Sequence, residues 1–270
     1  MAIATLADYK TALTSPREIV TYSSGGLITA IAGRLSDFWV SQAIPGTAPT
    51  TAVAPTRATV GAIGQINAAS GKQLSILGGH FSSNTQGNYI VCDRLSHQGG
   101  LSGVVTTAQT TNLPTAALTR YTSGNGVMLG ITIYTQIGTT ATTITATYTN
   151  QSGVGSRVTP VVVFGGTGFR EANRLLLLPL QSGDSGVQSV QSVTVAGTTG
   201  TAGNFGVTLF KPLYVLCNDQ ANNVLSSAGF ISGQSAGGVA KIEDDACLFF
   251  ANISQTTTTS ITGSLILQEN

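Results

Sequence analysis

The stretch from Arg174 to Val195, RLLLLPLQSGDSGVQSVQSVTV, constrains this chain most. It holds an apolar run, a Gly/Ser/Asp segment and a Val/Ser/Thr run. Gly183 and Gly186 suit the positive backbone angles of a tight turn, and Asp184 and Ser185 suit side-chain bonding to a turn's backbone. Four consecutive leucines, Leu175 to Leu178, cannot alternate between a buried and a wet face, so the first strand is expected to be packed on both sides. The stretch therefore predicts a β-hairpin at the centre of a sandwich.

The flanking sequence supplies further strands. Leu129, Ile131 and Ile133 share one face of an extended segment, and Thr143 to Thr149 alternates threonines with Ile144, Ala146 and Tyr148. Tyr89–Cys92, Pro160–Phe164 and Asn204–Leu216 read as strands too, while Gly78-Gly79, Asn84–Asn88, Gly99-Gly100 and Gly138 read as turns. Strands recurring about every ten residues without alternating helices predict a mainly β fold, an antiparallel β-sandwich of jelly-roll type. Composition agrees: 41% of the 270 residues are hydrophobic and only 9% are charged, against about 25% in an ordinary soluble protein. Disordered chains show the opposite balance.

The N-terminal part reads differently. Ser15, Pro16 and Glu18 have the spacing of a helix start with a capping box, and Leu27, Ile28, Ile31, Leu35, Phe38 and Trp39 lie near helical spacing after Gly25-Gly26. This gives an apolar face, Leu27, Ile31, Leu35, Phe38 and Trp39, which can pack on the chain's own core or serve as an interface with a neighbouring molecule. Pro45 to Pro55 reads as an extended linker. The expected organisation is an arm of short helices and linker over 1–70, a sandwich over 71–216, and a C-terminal extension over 217–270. The last part would have a loop over Ser226–Gly238 and a hairpin of Ala246–Ile253 with Ser260–Leu267, able to pair within the chain or with a neighbour.

Chemistry is scarce. A net charge of +1 with scattered cations leaves no basic patch for nucleic acid, and no apolar run of about 20 residues or leader-like start suggests a membrane or secretory route. Cys92, Cys217 and Cys247 form no CxxC pair and read as free thiols. His97 with Asp93 and Cys92, and Glu243 with Asp244-Asp245, are too ordinary to define metal sites. Gly183-Asp184-Ser185-Gly186 imitates a serine-protease nucleophile, yet the two histidines, His80 and His97, lack the expected context. Gly165-Gly166-Thr167-Gly168 lacks the Lys-Ser/Thr of a phosphate loop and reads as a turn or bulge. Arg170, Glu171 and Arg174 read as a local ion-pair cluster. No catalytic, metal or cofactor site is expected, and a surface so poor in charge suggests self-association.

Resemblance adds a role. The segments CDRLSHQGGLSG, LPTAALTRYTSG, GFREANRLLLLPLQSGDSGVQSVQSV and GTAGNFGVTLFKPL, between Tyr89 and Leu216, resemble a family of tailed-bacteriophage and prophage virion structural proteins. The resemblance covers about half of the chain. It implies a virion component assembled in the host bacterial cytoplasm and, within that class, a capsid decoration or cement protein. Such a protein would be a homo-oligomer, a trimer, bound to the phage major capsid protein and anchored with help from residues 1–70. A tail or head-fibre receptor-binding module is the alternative reading, and a hydrolase using Ser185 a third.

Overall fold

Alternating apolar residues dictate extended backbone for the strands that supply nearly all of the regular structure described. The computed structural model describes residues 5–12, 14, 17–23, 28–29, 31–39, 50–111, 113, 118–222, 224–228, 240–254 and 258–269. One helix, α1 (Leu6–Ala12), precedes β1 (Arg17–Ser23), β2 (Ile28–Thr29), β3 (Leu35–Asp37), β4 (Leu74–Ser83) and β5 (Gly87–Leu101). The middle of the chain contributes β6 (Gln109–Thr110), β7 (Met128–Thr135), β8 (Thr142–Asn150), β9 (Arg157–Val158), β10 (Val162–Phe164) and β11 (Leu175–Leu177). There follow β12 (Val187–Val195), β13 (Asn204–Asn218), β14 (Val224–Ala228), β15 (Ala240–Ile242), β16 (Leu248–Ser254), β17 (Thr258–Thr259) and β18 (Ile261–Glu269).

The fold is mainly β, and the strand pairs are antiparallel, in sheets packed face to face as a sandwich. A six-stranded sheet, β11-β7-β13-β5-β16-β3, lies at the centre. Its edges meet: Ser36 and Arg174 form an antiparallel bridge, and the Asp37 amide donates to the Asn173 carbonyl at 2.8 Å. Joining the edge strands closes the sheet into a small barrel and removes its free edges. A second sheet, β10-β8-β12-β6 with β9 also on β8, packs on one part of the barrel's outer surface. A third, β1-β18-β4-β14 with β15 also on β4, packs on another.

Three apolar clusters follow. Leu129, Ile131, Ile133, Val207 and Leu209 of the barrel wall meet Ile144, Tyr148, Val190 and Val193 of the second sheet. Tyr89, Val91, Tyr214, Leu216 and Phe250 meet Val20, Tyr22, Ile76, Phe81 and Leu265 of the third. Trp39, Cys92, Leu175, Phe210, Cys247, Phe249 and Ala251 fill the barrel itself. Strands β5 and β13 wall both outer cores, although Leu209 and Tyr214 would fall on opposite faces of a regular strand. Register shifts between Leu209 and Phe210 and between Pro212 and Tyr214 reset the alternation, so both sets face outward.

Several expectations are corrected. The segment Arg174–Val195 is not a hairpin: β11 pairs with β7 in the barrel and β12 pairs with β8 in the second sheet, so the SGDSG turn carries the chain from one layer to the other. The leucines are packed on both sides only in part: Leu175 lies inside the barrel and Leu176 and Leu178 in the outer core, while Leu177 is exposed. Residues from Arg17 form β1 instead of a helix, because Val20 and Tyr22 alternate into a core while β18 offers the hydrogen-bonding edge. The helix lies earlier, at α1, where Thr5 and Asp8 cap each other reciprocally. A second helix over 27–39 is replaced by β2, a turn in which Gly33 has φ +71°, and β3. Gly78-Gly79 and Gly99-Gly100 lie within β4 and β5, not in turns.

The arm and the extension are also revised. β1 pairs with β18, β16 pairs with β5, and β18 pairs with β4, so both ends of the chain are woven into the main sheets. β16 and β18 belong to different sheets and form no hairpin. Part of the loop expected over Ser226–Gly238 belongs to β14, and 229–239 lie outside the described residues, as do 45–49 of the linker.

The leucine run gives a sharp test. Leu176 is buried and Leu177 is 40% exposed, so Leu176→Asp is expected to abolish folding, while Leu177→Asp changes stability by about 0.5 kcal/mol or less in a denaturant titration. Gly206→Ala is expected to cost about 1–3 kcal/mol in the same assay, because a Cβ there would stand 2.0 Å from the Gln98 carbonyl oxygen.

Candidate functional site

The densest chemistry lies inside the barrel. Successive inward positions of β5 carry Cys92, Arg94 and, after the bulge, His97, and β3 brings Asp37 to the same interior. Arg94 is fully buried. One terminal nitrogen donates to Asp37 Oδ2 at 2.5 Å and the other to Thr208 Oγ1 at 2.9 Å. Its guanidinium lies 4.7 Å from the Trp39 ring and 4.0 Å from that of Phe249. Asp37 Oδ2 also accepts from Thr132 Oγ1 at 3.2 Å, and Oδ1 from the Trp39 amide at 2.8 Å. Burial works against the Arg94 charge; Asp37 outweighs that, and the guanidinium holds its charge more tightly than usual.

Next to this pair, His97 Nδ1 shares a hydrogen bond with Tyr134 Oη at 2.8 Å, and its ring meets Trp39 edge-on. Burial, reinforced by the Arg94 charge, pushes the His97 pKa down to about 2. Tyr134 is shifted upward by burial, so both side chains stay neutral. Cys92 and Cys247 are buried free thiols, and burial pushes the Cys247 thiol up to about 12. These are inert settings for a base or a nucleophile.

A second buried pair stands on the opposite face of β5. Arg120 forks onto Asp93, with Nε to Oδ2 and Nη2 to Oδ1 both at 2.9 Å, and Nη2 also donates to the carbonyls of Pro55 and Arg94. Burial raises the Asp93 pKa, and Arg120 opposes that rise. The pair ties the segments around Pro55 and Arg120 to the barrel wall.

The GDSG turn is structural in its contacts. Asp184 accepts from Tyr148 Oη, from Asn150 Nδ2 at 2.8 Å and from Arg157 Nε at 3.0 Å, locking the layer-crossing turn to β8 and β9. Ser185 Oγ donates to Asn125 Oδ1 at 2.8 Å. His97 is inside the barrel, and His80 is on β4, paired with Ser264 and Ser226. Among the described residues no group of three or more His, Cys, Asp and Glu is arranged to hold a metal ion. Asp93 and His97 do not converge: one pairs with Arg120, the other with Tyr134. The loop at Gly165-Gly166-Thr167-Gly168 is a glycine turn, with φ of +73°, +71° and +87° at its glycines.

Of the expected interface residues, Phe38 and Trp39 are buried in the chain's own core. Ile31 and Leu35 are half-buried, with Leu35 packed against the barrel interior, and Leu27 lies outside the described residues. Exposed apolar side chains lie elsewhere: Val154, Val158, Val161 and Val163 rim the second sheet, and Ile19, Val60 and Ile66 are exposed too. Sequence reasoning missed Asp37 and Arg94, although adjacent Asp93 and Arg94 within an apolar strand were a visible signal, since charges there must be paired.

No family model matches the sequence, and no curated protein matches it. Among solved structures, the chain is similar to one of the infectious bursal disease virus Gt strain, with 7% identity, 94% of this chain and 80% of that chain covered, and a TM-score of 0.18. A VP2 subviral particle of the same virus gives 9% identity, the same coverage and a TM-score of 0.18. The Gx strain gives 9% and 0.19.

Two measurements test the interior. Asp37→Asn leaves the Arg94 charge buried without its counter-ion and is expected to cost about 3–5 kcal/mol by denaturant unfolding, whereas Asp37→Leu with Arg94→Met costs less than that single change. Because the folded-state pKa of His97 lies below its unfolded value of about 6.5, the unfolded chain binds the extra proton first, and stability falls as pH drops below about 6.5. Between pH 6.5 and 5 the expected loss is about 2 kcal/mol. His97→Gln is expected to flatten that window.

Proposed function

We propose that this chain is a virion structural protein, a capsid decoration or cement protein of a tailed bacteriophage, and that it bridges neighbouring capsomers as a homotrimer bound to the phage major capsid protein. One observation carries the reading. The outward face of the second sheet presents Thr143, Thr145, Thr147 and Thr149 beside Val158 and Val163, with Val161 at its rim 69% exposed and no ionisable side chain among these residues. Such a face meets another protein surface without charge to desolvate, which favours extended protein contact over recognition of phosphate or of a charged small molecule.

The rest of the molecule is consistent with a load-resisting part. Closing the barrel and pinning its interior with Asp37–Arg94 removes free edges from the central sheet and fixes the two outer cores on one rigid wall. Both favour stiffness over catalysis, and Ser185 Oγ is bonded to the Asn125 amide and not to a histidine. The resemblance over Tyr89–Leu216 supports the same role. Because β1, Asp37, Phe38 and Trp39 belong to the body, anchoring by the N-terminal part is best tested with surface substitutions, not by deletion.

Val161→Asp combined with Val163→Asp is expected to leave the melting temperature within about 2 °C of the parent and to lower occupancy on phage capsids at least about tenfold, read by gel densitometry of purified particles. Unchanged occupancy would overturn the docking face. Imaging of intact particles that placed the chain on the tail would overturn the cement role.

A further inference from the structure

Where the barrel closes, two arginines flank one carboxylate and a third stacks on the same loop. Arg174 is fully buried, and its Nη1 donates to the Leu35 carbonyl and Ser36 Oγ, each at 3.1 Å. Its Nε and Nη2 have no hydrogen-bond partner. Glu171 accepts from the Gly168 amide at 2.8 Å and from the Arg170 amide at 3.2 Å. These bonds outweigh the opposing effect of its burial and keep it ionised. The Nε atoms of Arg170 and Arg174 each stand 4.0 Å from a Glu171 oxygen, beyond hydrogen-bond reach. Arg170 Nε is buried without a partner.

Arg34 completes the set from the turn before β3. Its guanidinium stacks 4.3 Å from the Phe169 ring centroid, on the loop that carries Glu171, and the side chain is exposed. Burial, with a further contribution from the Arg34 charge, shifts the Arg174 pKa downward. On the other side of β3, Asn252 of β16 is opposite Ser36 in the strand register, fully buried, with neither amide atom partnered. The corner thus holds three guanidiniums against one carboxylate, a local excess of two positive charges, with donors left over at Arg170, Arg174 and Asn252. An excess of buried, unpartnered N–H groups costs free energy that an anion accepting several of them would recover.

We infer that this corner binds a small oxyanion of the phosphate or sulfate class between Arg34, Arg170 and Arg174. The ion enters from the exposed Arg34 side and couples the loop carrying Glu171 to the turn before β3, so its binding reinforces the barrel's closure. The inference stands apart from the virion role, since it rests on charge and geometry at the seam alone.

The test uses the full-length protein, exchanged into phosphate- and sulfate-free buffer and titrated with inorganic phosphate at constant ionic strength. Broadening of the phosphorus resonance reports binding, and thermal unfolding reports its consequence. Saturable binding is expected, with the unfolding equilibrium constant lowered about a hundredfold at a phosphate concentration 100 times the dissociation constant. Sulfate should compete. Arg34→Ala with Arg170→Gln should abolish the saturable effect, and Arg34→Lys, which keeps the charge and the fold but loses the planar fork, should weaken it about tenfold. Phosphate also stabilises proteins generally by exclusion from their surface. Equal stabilisation of the parent and the double variant, or no saturable binding by the parent, would therefore overturn the inference.

Discussion

The rest of this structure depends on the junction of β3 with β11. Three residues of β3 complete a wall that β11, β7, β13, β5 and β16 leave open, and the same three place Asp37 inside. Arg94 can be buried only because Asp37, Thr208 and the rings of Trp39 and Phe249 replace its water. Closure and charge burial are therefore one event: without β3 the sheet has two raw edges and a stranded guanidinium. A sequence as sparing with charge as this one spends Asp37, Asp93, Arg94 and Arg120 in its interior, where each fixes the position of a distant segment.

The long pair β5 and β13 turns that closed wall into a larger body. Each strand presents residues to the barrel interior and to two separate outer cores, and the bulges near Leu95 and Leu213 are what permit it. Without them, Tyr214 and Leu216 would point into the barrel and the third sheet would have nothing to pack on. Among the described residues, the exposed surfaces include a neutral Thr/Val sheet face and a cationic corner.

Much of the local structure was legible. The alternation at Thr143–Thr149 is reproduced in β8, with its threonines outward, and the double-sided burial of Leu175 and Leu176 follows from four leucines in a row. The helical reading of 27–39 failed for a physical reason: Phe38 and Trp39, adjacent in sequence, face different cores at a strand end, and that geometry imitates helical spacing. The candidate site was only half legible. Adjacent Asp93 and Arg94 in an apolar strand announced buried pairing, but their partners Arg120 and Asp37 lie 27 and 57 residues away, and no local pattern links them.

By itself the sequence determined the class of structure, because side-chain periodicity and glycine-rich turns act over a few residues and leave little choice but antiparallel strands. The tertiary structure alone decided which strands became neighbours. Arg174–Val195 shows why: its apolar run, turn and second strand are all present, yet β11 and β12 gain more from β7 and β8, whose longer edges and buried faces they complete, than from each other. Pairing is settled by the area two surfaces bury and by the hydrogen bonds left over elsewhere, and both are sums over the whole chain.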